Sequence, residues 1–319
     1  MRPFPKLQFG ISLLVLCSPA FFVAAQAAEP RADNALPVIP EWTSTHVQHV
    51  YGLPGAKAKE PGTLTIHGGD LVFASKTSRS TIRLQSVYAV GTGNERVELW
   101  GMKGRLLRMA IPDGGGLLAA TFMHHRVDMF TVEFADPNGG YHAAVFFLPA
   151  KEAERALQAM TAAPIAHREP ADMVCNGGPV KLSTVRVPLP EWNDANVPAA
   201  YRALVYEHLI ERLRQSPAVD RVYRDGEPGC PQYTVQLTAT GYKAGNQIAR
   251  ASTGPVGMFV GITQMGFDMR ILDASGREID HDQIKATVRG ESESINVSQT
   301  VAKKVAKEFI ASRKQSRRK

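Results

Sequence analysis

The sequence predicts a mixed α+β protein in two successive parts. The first is an antiparallel β-barrel or sandwich closed by a C-terminal capping helix, and the second an α+β unit with helices packed on a mostly antiparallel sheet. Three observations carry this reading. Between Gly62 and Leu148, short runs of alternating apolar residues are separated by Gly, Asp, Asn and Pro clusters, as in short strands joined by turns. Directly afterwards, Ala153, Ala156, Leu157 and Met160 fall on one helical face. From Pro179 onward, strand-spaced runs alternate with long stretches of helical spacing, the pattern of helices laid on one sheet face.

The amino terminus carries Arg2 and Lys6, then an apolar run from Phe9 to Val23, then Ala25-Gln26-Ala27. That order of charge, apolar run and small residues predicts a secretory signal peptide over residues 1–27, cleaved before Ala28. A lipoprotein anchor at Cys17 is the alternative, although the residue before it, Leu16, is larger than such sites usually hold. No later segment is apolar enough to span a bilayer. About 290 residues then remain, more than one core usually organises, so two domains are expected.

Residues 28–61, rich in Pro, Ala and Gly, read as an extended arm with Trp42, Val47, Val50 and Tyr51 as its few spaced apolar positions. The β domain is expected over 62–161. Leu64 and Ile66 alternate, Gly68-Gly69-Asp70 turns, and Leu71 and Phe73 alternate in return. A phase slip among Ile82, Leu84, Val87 and Val90 marks a bulge or bend. Val97 and Leu99 continue the pattern, Pro112 to Gly116 breaks it, Phe130, Val132 and Phe134 resume it, and Ala143 to Leu148 forms an apolar strand.

The run GTLTIHGGDLVFASKTSRSTIRLQSVYAV, residues 62–90, resembles the opening of bacterial pleckstrin-homology-like or GRAM-like domains. The resemblance implies a meander of about seven strands closed by one helix, a scaffold for phospholipid or protein contacts. The early loops carry no basic cluster, which departs from lipid-headgroup binding.

Residues 162–178 read as a linker and 179–312 as the second domain. Leu182, Val185 and Val187 form a strand, and Asn196 caps a helix carrying Tyr201, Leu204, Val205, Leu209 and Leu213, with Pro198 in its first turn. Strands follow at 221–223, 233–242, 258–263, 267–273 and 283–288, and a last helix at 297–311. The stretch GNQIARASTGPVGMFVGITQMGFDMRILDASGREI, residues 245–279, is similar to a family of exported bacterial domains. That family is like the amino-terminal domain of the Tol translocation protein and the periplasmic domain of curli-secretion lipoproteins. The resemblance implies a role in envelope assembly and brings no activity with it.

Composition narrows the function. The net charge is +7, yet with Arg2, Lys6, Arg313, Lys314, Arg317, Arg318 and Lys319 set aside the body has thirty basic and thirty acidic residues, which disfavours a nucleic-acid surface. The basicity belongs to a tail, residues 313–319, expected to be solvated or to meet anionic lipid or polymer. Cys175 and Cys230 remain after processing and are expected to form a disulfide in an oxidising compartment.

No Gly-x-Ser-x-Gly elbow occurs. Adjacent His124 and His125 point to opposite faces of a strand and do not suit one metal ion. His281 between Asp280 and Asp282 reads as a solvated turn. Gly114, Gly115 and Gly116 lack the Lys and Ser/Thr of a phosphate loop.

The reading reached is a periplasmic or secreted, non-enzymatic binding or assembly accessory without cofactor or metal. Its expected contacts are Trp100, Gly114, Gly115, Gly116 and the basic tail, toward an envelope protein, an anionic lipid or polymer, or a second copy of the chain. An envelope-directed hydrolase with a loop-built site is the alternative.

Overall fold

The computed structural model describes residues 41–98, 124–161, 178–193, 195–245, 261–289 and 293–316. The described residues cluster as one compact unit, a mixed α+β structure in which sheet predominates.

Seven strands form the first sheet: β1 (Trp42–Tyr51), β2 (Glu60–His67), β3 (Asp70–Ser75), β4 (Arg79–Arg83), β5 (Val87–Glu98), β6 (His124–Ala135) and β7 (Tyr141–Leu148). Their order is β4-β3-β2-β1-β7-β6-β5, and every neighbouring pair is antiparallel. The segment read as an extended arm therefore supplies β1, which sits mid-sheet between β2 and β7. The two outermost strands, β4 and β5, are consecutive in the chain, joined only by the 3-10 turn Leu84–Ser86. A flat seven-stranded sheet is roughly 30 Å wide, whereas that linker reaches under about 15 Å, so the sheet must curl until its edges approach. This turn, with a register shift between Val87 and Ala89, is the phase slip seen in the sequence.

Inside the curl, Leu64, Ile66, Leu71, Phe73, Phe130 and Phe146 form a core, onto which helix α1 (Glu152–Thr161) lays Ala153, Ala156 and Met160.

The second sheet contains β8 (Lys181–Arg186), β9 (Arg221–Tyr223), β10 (Pro231–Lys243), β11 (Thr263–Asp273) and β12 (Glu278–Val288), ordered β12-β11-β10-β8-β9. The pairs β10–β11 and β11–β12 are antiparallel, while β8 pairs in parallel with both β9 and β10. Parallel neighbours need a crossover, and helix α2 (Ala199–Arg214) supplies it between β8 and β9. Its N-cap is Pro198, whose carbonyl accepts from Tyr201 and Arg202, rather than the expected Asn196. Helix α3 (Asn296–Ser316) closes the fold beside α2, packing Val301, Val305 and Phe309 into the core.

β7 is buried along its whole length. Ala144, Phe146 and Leu148 face the first core; Tyr141, Ala143, Val145 and Phe147 face a second one shared with α2 and the second sheet. A strand covered on both faces reads as a continuous apolar run, and residues 143–148 read that way. Among the described residues no helix is long and apolar enough to cross a membrane.

Candidate functional site at the seam between β7 and α2

The site arises where β1 leaves β7. β1 accompanies β7 from Phe147 to Val145, then turns away at Gly52. Gly52 has φ +92°, and a Cβ there would stand 1.9 Å from the Ala143 carbonyl oxygen, so only glycine fits. The departure leaves Tyr141 and Ala143 without a strand partner on that side, and buried backbone groups must find partners elsewhere. Other elements supply them. Tyr141 N donates to Asp225 O at 2.8 Å, Tyr141 O accepts from Arg224 Nη1 at 2.8 Å, and Ala143 N donates to Glu207 Oε1 at 3.0 Å.

Glu207 and Arg224 also join each other, Nη1 to Oε1 at 2.8 Å and Nη2 to Oε2 at 2.7 Å. Both side chains are 4% exposed. Burial works against the Arg224 charge, but the hydrogen bonds and charge of Glu207 outweigh it and hold the guanidinium above its ordinary pKa. Tyr206 adds a third tie, accepting from Asp225 N at 2.8 Å and donating to Val187 O at 3.2 Å. The turn holding Asp225 approaches the β6–β7 turn so closely that a Cβ on Gly226 would lie 2.3 Å from Gly139 O.

His142 lies beside this pair. Its Nε2 is 3.4 Å from Asp136 Oδ2 and its Nδ1 3.8 Å from Glu207 Oε1, beyond hydrogen-bond range. Nδ1 is buried without a hydrogen-bond partner, and so is Nε of Arg224. Burial, joined by Arg224, lowers the imidazole pKa against the pull of Glu207 and Asp136.

Two clefts open at this point. One, of about 410 Å³, lies between the loop following Gly52 and the α2 side chains Glu207, Glu211 and Arg214, with His142 and Arg224 on its wall. The other, of about 810 Å³, has Arg79, Arg83 and Asp136 among its lining; Leu53, Pro54 and His142 border both. The intervening loop is pinned by His49, whose Nδ1–H donates to Lys57 O at 2.8 Å while Nε2 accepts from Leu53 N at 3.1 Å. Ser80 Oγ donates to Pro54 O at 2.8 Å.

Of the expected contact residues, Trp100, Gly114, Gly115, Gly116, Arg317, Arg318 and Lys319 lie outside the described residues, as does Cys175. Cys230 is free and half-buried; a Cβ on Gly178 would lie 3.5 Å from its Sγ. Helix α3 runs through Arg313 and Lys314 to Ser316. Lys314 is exposed, but Arg313 is 5% exposed, donates to Ala218 O and lies 5.4 Å from the Tyr233 ring centre. Arg313 is thus a packed residue rather than part of a solvated tail. His281 sits on β12 rather than in a turn, with Nε2 2.5 Å from Asp268 Oδ1. Among the described residues no group of three or more His, Cys, Asp or Glu side chains is placed to hold a metal.

Sequence reasoning missed His142, Glu207 and Arg224. One signal was present: Glu207 lies three positions from Leu204 and from Ile210, a carboxylate in the apolar stripe of α2.

No protein-family model and no curated protein matches this sequence. Similar solved structures include the PelC dodecamer from Paraburkholderia phytofirmans (14% identity, TM-score 0.26, 41% of this chain and 92% of that one). Others are a Xanthomonas campestris protein of the DUF330 family (9%, 0.29, 43% and 88%) and a hypothetical protein of Chlamydia trachomatis (12%, 0.26, 40% and 93%). At these scores the likenesses carry no argument about the function of this chain.

Proposed function

We propose that this protein is an exported, non-enzymatic accessory of the bacterial cell envelope that acts by binding or assembly through the seam of its two sheets. The observation that carries the reading is how the seam's polar groups are used. Glu207 is committed to Arg224 and to the Ala143 amide, and Arg224 to Glu207 and the Tyr141 carbonyl. A general acid or base needs a carboxyl or imidazole free to exchange a proton with substrate, and a carboxylate locked by a buried guanidinium is poorly suited to it. The same bonds fix the clefts in shape, and a preformed site loses less entropy on binding.

The order β4-β3-β2-β1-β7-β6-β5 followed by α1 supports the pleckstrin-homology-like reading of the first part. The order of strand, helix, antiparallel strands and helix supports the envelope-domain reading of the second. Export is read from the leader, and the mature chain is placed in the periplasm.

Fractionation of the native host tests this. The chain is expected in the periplasmic extract, beginning near Ala28 by mass spectrometry, and the purified protein is expected to leave peptidoglycan and ester substrates intact. Turnover that disappears in His142→Ala, or an uncleaved chain in the cytoplasm, would overturn the proposal.

A further inference from the structure

We infer that the open edge of strand β4, with the cleft of about 810 Å³ along it, takes up an extended segment of a partner protein as an added strand, one with acidic residues four positions apart and apolar residues between them. The inference names the partner class for the binding function proposed above and rests on it.

β4 is the last strand of the first sheet and pairs only with β3. The phase of that pairing is fixed at both ends, where Leu84 N donates to Gly69 O at 2.9 Å and Ser75 N donates to Ser78 O at 2.8 Å. Antiparallel ladders bond through alternate residues, so Ser80 and Ile82 bond to β3 while the N–H and C=O groups of Arg79, Thr81 and Arg83 point off the sheet. Among the described residues, Arg83 O alone of these groups has a hydrogen-bond partner, Ser86 Oγ at 2.8 Å. All of β4 from Arg79 to Arg83 lines the cleft, and Phe134, Ala135, Asp136 and Pro137, where β6 ends, form part of the wall. A row of unpaired backbone groups along a cleft is a template for strand addition.

The side chains select the strand. Arg79, Thr81 and Arg83 are exposed on one face, and the residues of an added strand set against them share that face. Neither arginine has an ion pair among the described residues. Asp70 stands opposite Arg83 on β3, on the side away from the open edge. Asp136 is committed to its own turn, accepting from the amides of Asn138 and Gly140, with Oδ2 toward His142. The open edge therefore presents two cations four residues apart and favours carboxylates at that spacing. On the other face Ile82 belongs to the first core with Leu53 and Phe134, which also line the cleft and suit apolar side chains at the positions between. A second copy of the chain does not fit: pairing β4 with β4 about Thr81 sets Arg79 of each copy against Arg83 of the other, and like charges directly opposite repel.

The test uses the full mature protein with the peptide Gly-Glu-Val-Thr-Val-Glu-Gly as probe and Gly-Lys-Val-Thr-Val-Lys-Gly as the charge-reversed control. Binding is read by amide chemical shifts and hydrogen exchange. The acidic peptide is expected to shift the amides of Arg79, Thr81 and Arg83 and to protect that of Thr81 from exchange. Thr81→Pro removes an N–H that faces away from β3, so the thermal midpoint is expected to hold while affinity falls about tenfold, the weight of one lost hydrogen bond. Arg79→Glu with Arg83→Glu is expected to transfer the preference to the basic peptide, a readout that a purely structural role of the arginines would not move. Equal binding of the two peptides, shifts confined to another surface, no shift at millimolar peptide, or undiminished affinity in folded Thr81→Pro would each overturn the inference. So would a wild-type dimer that Thr81→Pro dissolves, which would make a second copy the occupant. In those cases a periplasmic chain without turnover leaves the accessory function standing; turnover lost in His142→Ala with the peptide still held on β4 would retain the site and overturn the accessory function instead.

Discussion

Arg224 reaches Glu207 through two parallel hydrogen bonds, 2.8 and 2.7 Å long, and the same two side chains hold the backbone of β7 at Tyr141 and Ala143. One ion pair therefore ties three separate stretches of chain together: helix α2, the turn after β9 and the opening of β7.

Removing one partner leaves the other buried and charged, the expensive way to break such a pair. Glu207→Ala or Arg224→Ala is expected to cost roughly 3–5 kcal/mol in urea unfolding, while the double change Glu207→Leu with Arg224→Met should recover much of that loss. A double-mutant cycle checks the coupling. Equal and additive effects would show that the pair is not a unit.

Gly52→Ala places a methyl group onto the Ala143 carbonyl in a backbone conformation that alanine avoids. The expected loss is about 3 kcal/mol, read as a lower thermal midpoint. Gly276, at φ +80° with nothing within 4 Å, is the control; alanine there should cost only about 1 kcal/mol.

Burial depresses the pKa of His49 and His142, and burial with Arg212 nearby brings His208 down to about 4. Because each folded value lies below the ordinary 6.5, the unfolded chain binds protons first as pH falls. Their stabilisation is complete above pH 6.5 and declines as pH falls below it, for His208 down to about 4, by at most about 1.4 kcal/mol per pH unit for each ring. His281, raised by Asp268, has the opposite sign and loses its contribution as pH rises. Urea midpoints between pH 4 and 8 test this, and His49→Gln should flatten the curve.

Cys175 and Cys230 are proposed to join on export. Gly178, three residues after Cys175 in sequence, lies against the Cys230 thiol. Thiol titration of unreduced, denatured mature protein should find no free group. Two free thiols would reject the bond.

Attraction of the carboxy terminus to acidic surfaces is carried in this proposal by Lys314, Arg317, Arg318 and Lys319, because Arg313 is packed on Tyr233 and Phe309. Deleting residues 317–319 should weaken co-sedimentation with phosphatidylglycerol vesicles at low salt and leave the thermal midpoint unchanged. Arg313→Gln should do the reverse, lowering the midpoint with little effect on vesicle binding.

Much of the secondary structure was legible because local spacing encodes it. β9 at 221–223 stands at its expected bounds, the last helix starts one residue before its expected start and runs five residues past its expected end, and the phase slip near Leu84 was a true interruption. Expected strands at 258–263 and 267–273 correspond, over the described residues, to one strand from Thr263, since Gly266 does not break the ladder. Leu182 was grouped with Val185 and Val187, but it has the opposite parity in the strand and is 72% exposed.

By itself, the order of residues determined the α+β class, the strand-rich first part, the capping helix and the continuous apolar run of β7, each set by neighbours a few positions apart. It did not determine the seam. Tyr141, Glu207 and Arg224 are far apart in the chain, and their bond exists because β1 turns off at Gly52 and leaves buried backbone groups to be satisfied. Only the tertiary structure decides which distant side chains answer that demand, since hydrogen-bond satisfaction in a core is settled by packing and leaves no period in the sequence.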